Sequence, residues 1–200
     1  MALPQTLLEM RGATWPVPRW SESVLIIIDA QEEYRSGVLP LHGIDAAIRE
    51  NQALLAAARS AGTPIIHVVT LAPAGAGMFE TGSPLAEIFA ELTPLPNEVV
   101  VLKMLPDSFA GTDLADHLKR FGRPTLIVSG FMTHMCVSTT VRSAMHQGYR
   151  CALVANACAT RDLPDGAGGV VPAEVLHRAE LAALSDRFAV IVRDTTQIPI

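Results

Sequence analysis

A chain of 200 residues that is 50% apolar and 18% charged is long enough for one domain with a sizeable core, and too hydrophobic to stay disordered. Its net charge of −5 and its 5% aromatic content argue against nucleic-acid binding, since neither a cationic cluster for phosphates nor a set of stacking platforms is present. Three cysteines without a CxxC pair offer neither a disulfide framework nor a zinc cluster. No apolar run reaches the ~18 residues of a membrane span, and the N-terminus lacks the basic-then-apolar pattern of a signal peptide. A reducing cytoplasm is the expected compartment.

Residues 1–22 carry Pro4, Pro16 and Pro18 with Trp15 and Trp20 and show no period. They read as an arm lying over the domain or over a neighbouring subunit, and residues 23–200 as one α/β domain. Residues 23–29, SVLIIID, form a continuous apolar run of the kind buried on both faces of a parallel sheet. After a loop over 30–43, residues 44–61 place Ile44, Ala47, Ile48, Leu54, Leu55 and Ala58 close to helical spacing, with Gly62 as the stop and Pro64 beyond it. A second strand over 65–71 leads into a glycine- and proline-rich loop, 72–82, and a short helix over 84–92. The third strand, 98–102 (EVVVL), runs into Lys103.

A helix over 112–121 has Thr112 as its N-cap and Gly122 as its end. The fourth strand, 125–128, breaks at Ser129-Gly130, and the helix over 133–147 carries Cys136 near its start. A fifth strand over 149–155, a turn-rich loop over 158–169, a helix over 172–184 with Pro172 at its first position, and a strand over 188–192 complete the chain.

Strand and helix alternate six times. The pattern predicts a three-layer α/β/α fold with a six-stranded, mainly parallel sheet and right-handed crossovers. In the order 3-2-1-4-5-6, strands one and four are neighbours at the switch point, and the ligand crevice lies at the strand carboxyl ends. Asp29 closes the first strand, Lys103 closes the third, and Cys136 lies just past the fourth. A cysteine after a glycine turn at a helix start sits where the macrodipole and free N–H groups lower a thiol pKa. Cys151 and Cys158 read as small core residues. Among the histidines, His67 reads as a core residue, His117, His146 and His177 as surface or interface groups, His134 as pocket wall or surface, and His42 as an ordinary loop residue with a pocket lid as the alternative. No HxH or HExxH supports a metal site. No GxGxxG, GxxxxGK[ST] or GxSxG supports a nucleotide or serine-hydrolase site.

These residues carry a resemblance. Asp29-Ala30-Gln31 with Tyr34 forms its first motif. Lys103 with Asp107-Ser108-Phe109 and Gly111-Thr112 forms the second. Gly130 to Val137, read GFMTHMCV, with Thr140 and Ala144, forms the third. In this order, over roughly residues 23–192, the chain resembles the isochorismatase-like cysteine hydrolase superfamily, of nicotinamidase and N-carbamoylsarcosine amidase type. The resemblance implies a catalytic triad of Asp29, Lys103 and Cys136, a cis peptide joining Phe131 to Met132, and an oxyanion hole made by the N–H groups of Met132 and Cys136. Gln31, Tyr34, Phe79 and His134 are the expected pocket walls. Nicotinamidases of the family hold a metal with an Asp-x-His after the second strand. LAPAGAGMF has neither residue, so no metal and no other cofactor is expected. The retained cysteine favours hydrolysis of a C–N bond in a small amide, lactam or ureido compound through a thioester. Vinyl-ether hydrolysis, as in isochorismatase, and a catalytically idle scaffold stand as alternatives. The implied partners are a small-molecule substrate and further copies of the chain, as a homodimer or homotetramer, with no nucleic acid and no membrane.

Overall fold

The computed structural model describes residues 3–200, so residues 1 and 2 of the expected arm lie outside the described residues. The arm begins with a one-turn helix, α1 (Leu7–Met10), closed by a capping box between Thr6 and Glu9. The carboxylate and carbonyl of Asp186 accept the N–H groups of Leu7 and Leu8. Trp20 is buried, and its N–H donates to the Pro199 carbonyl. The described part of the arm therefore lies against its own domain.

β1 (Ser23–Ile28) is followed by α2 (Glu33–Ser36), α3 (Ile44–Ala61), β2 (Ile65–Thr70), β3 (Val99–Lys103), α4 (Leu114–Phe121) and β4 (Thr125–Phe131). A π-helical turn, Thr133–Val137, leads into α5 (Ser138–His146) and then β5 (Arg150–Ala159). A small ribbon of β6 (Leu163–Pro164) and β7 (Val170–Val171) precedes α6 (Ala173–Ser185) and β8 (Ala189–Val192). The sheet order is β3-β2-β1-β4-β5-β8, and every pairing in it is parallel. The expected order 3-2-1-4-5-6 holds, because the ribbon stands apart and β8 is the sixth strand of the main sheet.

β1 is buried along its whole length and divides its side chains between two cores. Leu25 and Ile27 pack with Leu54, Leu55 and Ala58 of α3 on one face. Val24, Ile26 and Ile28 pack on the other with Leu118 of α4, Val141 of α5 and Leu184 of α6. Each such side chain contributes roughly 1.5–3 kcal/mol by leaving water, which is why a run of six apolar and small residues settles at the sheet centre rather than at an edge.

β4 lies against β1 from Ser23↔Thr125 to Ile28↔Gly130. The closeness at the last pair demands glycine: Gly130 has φ 115°, and a Cβ there would stand 2.0 Å from the Ile28 carbonyl oxygen. On the other side of β4 the register slips. Val128 faces Leu153, but Gly130 faces Cys158, so β5 bulges between them. Asn51 of α3 reaches into the bulge, donating 2.8 Å to the Ala157 carbonyl and accepting from the Ser129 hydroxyl at 2.7 Å.

Several element limits depart from expectation for identifiable reasons. The bulge lets β5 continue to Ala159, which draws Cys158 out of the expected loop and into the strand. The helix expected over 84–92 is two 3₁₀ turns, Pro84–Ala86 and Ala90–Leu92, because the Phe89 N–H donates to the Ala30 carbonyl instead of continuing a helix. Thr112 does not sit next to its helix. It accepts the Leu114 N–H while donating to the Ser108 carbonyl, so α4 starts two residues later than expected. Pro172 is the N-cap of α6 rather than its first residue.

Candidate active site

The carboxyl ends of β1, β2 and β3 stand side by side, and each ends in a polar group. Asp29 follows β1 at φ 51°, with its N–H donating 2.8 Å to the Val68 carbonyl of β2. Thr70 ends β2 and Lys103 ends β3. The Lys103 ammonium joins the group: it lies 2.8 Å from Asp29 Oδ2, donates to Thr70 Oγ1 at 2.6 Å and to Cys136 Sγ at 3.2 Å. The Thr70 hydroxyl donates in turn to Asp29 Oδ1 at 2.9 Å. Asp29 Oδ2 is thus held in an ion pair with the ammonium, with the Cys136 thiol near the same carboxylate. The exposures of Asp29, Lys103 and Cys136 are 0%, 3% and 8%, so this is a buried ion pair beside a barely accessible sulfur.

Burial and mutual charge set the protonation states. Burial raises the Asp29 pKa, against the pull of Lys103. Burial alone would lower Lys103, but the charges of Asp29 and Cys136 outweigh it and hold its pKa above the ordinary lysine value. Burial and the Asp29 carboxylate together push the Cys136 thiol up to about 12, with Lys103 working in the opposite direction. The sequence expectation of a lowered thiol pKa is thereby corrected. A helix start offers a modest stabilisation of the anion, whereas burial beside a carboxylate costs more. The resting sulfur is a thiol with an acceptor beside it.

Cys136 is carried by the π-helical turn. The Met132 carbonyl accepts the N–H groups of both Met135 (3.0 Å) and Val137 (3.3 Å), which widens the turn before α5 begins. The Phe131–Met132 peptide is cis. Among the described residues the Met132 N–H has no backbone acceptor. The Thr133 hydroxyl pins the turn to β5 by donating to the Ala159 carbonyl at 3.1 Å, and it meets His177 Nδ1 at 2.9 Å. From the other side, the Thr140 hydroxyl accepts the Ser108 N–H and donates to the Ser108 hydroxyl, and Ser143 donates to Asp107. The motif residues after Lys103 thus brace the helix that follows the cysteine.

The expected pocket residues divide. Tyr34 is buried with its ring edge-on to Phe79 and Phe131, and burial together with the charges of Asp29 and Cys136 raises its pKa well above the usual phenol value. Phe79, at φ 53°, belongs to that aromatic group, and its N–H is held by the buried Glu33 carboxylate. His134 is half-buried with Nδ1 2.5 Å from the Thr160 hydroxyl, and burial lowers its pKa. Gln31 lies deeper than the other three. It is fully buried, donates to the carbonyls of Thr70 and Ala86 and accepts the Thr70 N–H, so its amide is spent on fixing the end of β2.

Sequence reasoning passed over Thr70, whose one signal was a hydroxyl closing an apolar strand. His67 is the core residue expected of it, bonded to Glu98 at 2.9 Å. His177 is half-buried against the cysteine turn. Two cavities flank the sulfur's surroundings. One of about 450 Å³ includes Lys103, Leu71 and Leu102 in its wall, and one of about 430 Å³ includes His42, Thr160 and His177. Among the described residues no group of three or more His, Cys, Asp or Glu side chains is arranged to hold a metal ion. The loop after β2 has no histidine, and its Glu80 carboxylate is taken by the Gly77 N–H, so this donor set does not fit a metal.

Comparison with known proteins adds the following. The family profile for the isochorismatase domain matches residues 23–196. The secreted isochorismatase effector Isc1 of Verticillium dahliae is 42% identical over 171 residues, covering 86% of this chain and 87% of that protein. A streptothricin hydrolase of Streptomyces noursei is 34% identical over 169 residues, covering 84% and 67%. A maleamate amidohydrolase of Pseudomonas putida is 31% identical over 147 residues, covering 65% and 68%. A crystal structure of an isochorismatase from Pseudomonas putida KT2440 superposes with TM-score 0.94 at 44% identity, covering 98% of this chain and 100% of that one.

Proposed function

The chain belongs to the isochorismatase family of hydrolases, and we propose that it cleaves a C–N bond of a small amide, lactam or ureido compound through a thioester on Cys136. The observation that carries this reading is the single ammonium nitrogen of Lys103, held 2.8 Å from Asp29 and 3.2 Å from Cys136 Sγ in a buried setting. Matched relatives named as a streptothricin hydrolase and a maleamate amidohydrolase support C–N chemistry.

Asp29 takes the thiol proton, and the sulfur attacks the substrate carbonyl. Lys103 faces the negative charge whether it sits on carboxylate or sulfur. The oxyanion of the tetrahedral adduct receives the N–H groups of Met132 and Cys136, each donor of this type being worth about 10²–10³ in kcat. Protonated Asp29 then gives its proton to the leaving nitrogen. It next takes a proton from the water that hydrolyses the thioester. No step needs a metal.

Cys136→Ala tests the proposal on purified protein with a panel of small amides, lactams and ureido acids. Loss of amine or ammonia release, with unchanged circular dichroism, is expected. Turnover that survives sinks the thiol mechanism, and survival on isochorismate alone assigns the vinyl-ether reaction with Asp29 as acid. Assembly as a homodimer or homotetramer is part of the proposal, supported by the exposed apolar residues Val100, Leu102, Met104 and Leu105 on and beyond edge strand β3. A reducing cytoplasm is proposed on the three free cysteines, although the relative Isc1 is named as secreted. No helix among the described residues is long and apolar enough to cross a membrane.

A further inference from the structure

β3 and β4 are not neighbours in the sheet, since β2 and β1 lie between them. At ~4.8 Å per strand their ends stand about 14 Å apart. Lys103 on β3 and the turn after β4 must therefore reach toward each other, over the ends of β1 and β2, to close the 3.2 Å contact between Nζ and Sγ. The strand ladder leaves that reach open, so a tie outside the sheet has to set it. A direct brace joins the two segments. Ser108, five residues after Lys103, and Thr140, four residues after Cys136, are both fully buried, at 0% and 1% exposure. The Thr140 hydroxyl accepts the Ser108 N–H at 3.0 Å and donates to the Ser108 hydroxyl at 2.8 Å, so it is both acceptor and donor to one partner. Three residues further along α5, the Ser143 hydroxyl donates to Asp107 Oδ2 at 2.7 Å, while Asp107 Oδ1 accepts the Phe109 N–H at 3.0 Å. The Ser108 carbonyl accepts the Thr112 hydroxyl at 2.6 Å. Residues 107–112 thus form a closed turn bolted to one face of α5. Met104 and Leu105, between Lys103 and that turn, are exposed at 78% and 56% and give no such anchorage.

We propose that Ser108 and Thr140 are positioning residues of the hydrolytic site: their paired hydrogen bonds hold the start of the cysteine-bearing helix at the distance from β3 at which the Lys103 ammonium meets the Cys136 sulfur. This rests on the hydrolase reading above and adds to it a pair that touches no reacting atom. What depends on the pair is the ionisation of the sulfur. The ammonium stabilises the thiolate as it forms, and does so more weakly with distance. At an effective dielectric constant of about 20, a retreat of the sulfur by about 1 Å raises the thiol pKa by about one, a tenfold loss of thiolate at any pH below that pKa.

The test reads the sulfur directly and needs no turnover. Cys136 is alkylated with iodoacetamide at one alkaline pH below its pKa of about 12, and the modified peptide is quantified by mass spectrometry. Thr140→Val keeps the shape of the side chain and removes both bonds. Alkylation is expected to slow about 10-fold, and Thr140→Ser to restore the wild-type rate. The same substitution is then made in Lys103→Gln. With the ammonium gone the brace has nothing to position, so Thr140→Val should leave the rate of that variant unchanged. A wild-type rate in Thr140→Val alone overturns the proposal. So does a slowing of equal size in the Lys103→Gln background, which would make Thr140 a general support of the helix. Unfolding shows as labelling of the buried Cys151 and Cys158. Ser108→Ala, which loses one hydroxyl and keeps the Ser108 N–H bonded to Thr140, then carries both comparisons. In steady-state hydrolysis, kcat of Thr140→Val should fall with KM nearly unchanged; a raised KM with kcat intact overturns the assignment. Turnover by Cys136→Ala would instead overturn the thioester reading, and the alkylation comparison would still decide the role of the pair.

Discussion

Replacing Asp29 by asparagine isolates the charge that keeps Cys136 protonated. Asn retains the size and an acceptor for the Thr70 hydroxyl, which now meets Oδ1 at 2.9 Å. It removes the carboxylate, the largest cause after burial of the rise of the thiol pKa to about 12. Oδ2 and Sγ both lie close to one ammonium, at 2.8 and 3.2 Å. Their separation is therefore no more than about 6 Å, and at an effective dielectric constant of about 20 their repulsion is worth roughly 3 kcal/mol, or about two pKa units. Loss of Asp29 also leaves the sulfur as the sole counterion for Lys103, which pulls in the same direction. The thiol pKa of Asp29→Asn is expected to fall by about two units or more. The assay is the pH dependence of Cys136 alkylation by iodoacetamide, whose midpoint should move to lower pH. Hydrolysis should move oppositely, falling by about 10²–10⁴ with the base removed. A more reactive thiol in a less active enzyme is the signature. An alkylation midpoint that stays put or rises would falsify the electrostatic account and remove Asp29 from the role of base.

Two other perturbations probe the surroundings. Thr70→Val deletes the hydroxyl that accepts from Lys103 and donates to Asp29, leaving two charged groups each short of one bond. At about 1.5–3 kcal/mol per bond to a charged group, kcat/KM should drop about 10-fold or more, with Thr70→Ser restoring most of it. Steady-state kinetics equal to wild type in the valine variant would show that the bridge does not matter. The Glu98 carboxylate, despite burial, is lowered to about 2 by hydrogen bonds from Arg59, the Leu95 N–H and His67. Its folded pKa lies below its unfolded value near 4.3. Its contribution is therefore fully present above that value and lost as pH falls through about 2. Denaturant midpoints should decline over this window in wild type and less steeply in Glu98→Gln; parallel declines would remove Glu98 from the acid sensitivity.

The parts of the site that were legible in the sequence are those tied to the strand pattern. SVLIII and VVVL are apolar enough to fix parallel strands, the first buried on both faces and the second at the sheet edge with Val100 and Leu102 exposed, and whatever follows such a strand lands at the carboxyl edge. Asp29, Lys103 and Cys136 could therefore be placed near one another before any coordinates. What escaped depends on departures from that pattern. The turn carrying Cys136 is π-helical because Met132 accepts two N–H groups, a feature without a local propensity signal. The bulge in β5 depends on Asn51, which is distant in sequence, and it shifts Cys158 into the sheet. Gln31 stands in the first motif, yet its amide is consumed by the end of β2.

The charges of this site are best understood as a sum held constant. At rest a carboxylate and an ammonium face each other out of water, and the thiol is neutral. Attack moves one proton from sulfur to Asp29 and one negative charge from the carboxylate, through sulfur, to the adduct oxygen. The ammonium need not move, and no net charge is created in a low-dielectric interior, where an uncompensated charge is costly.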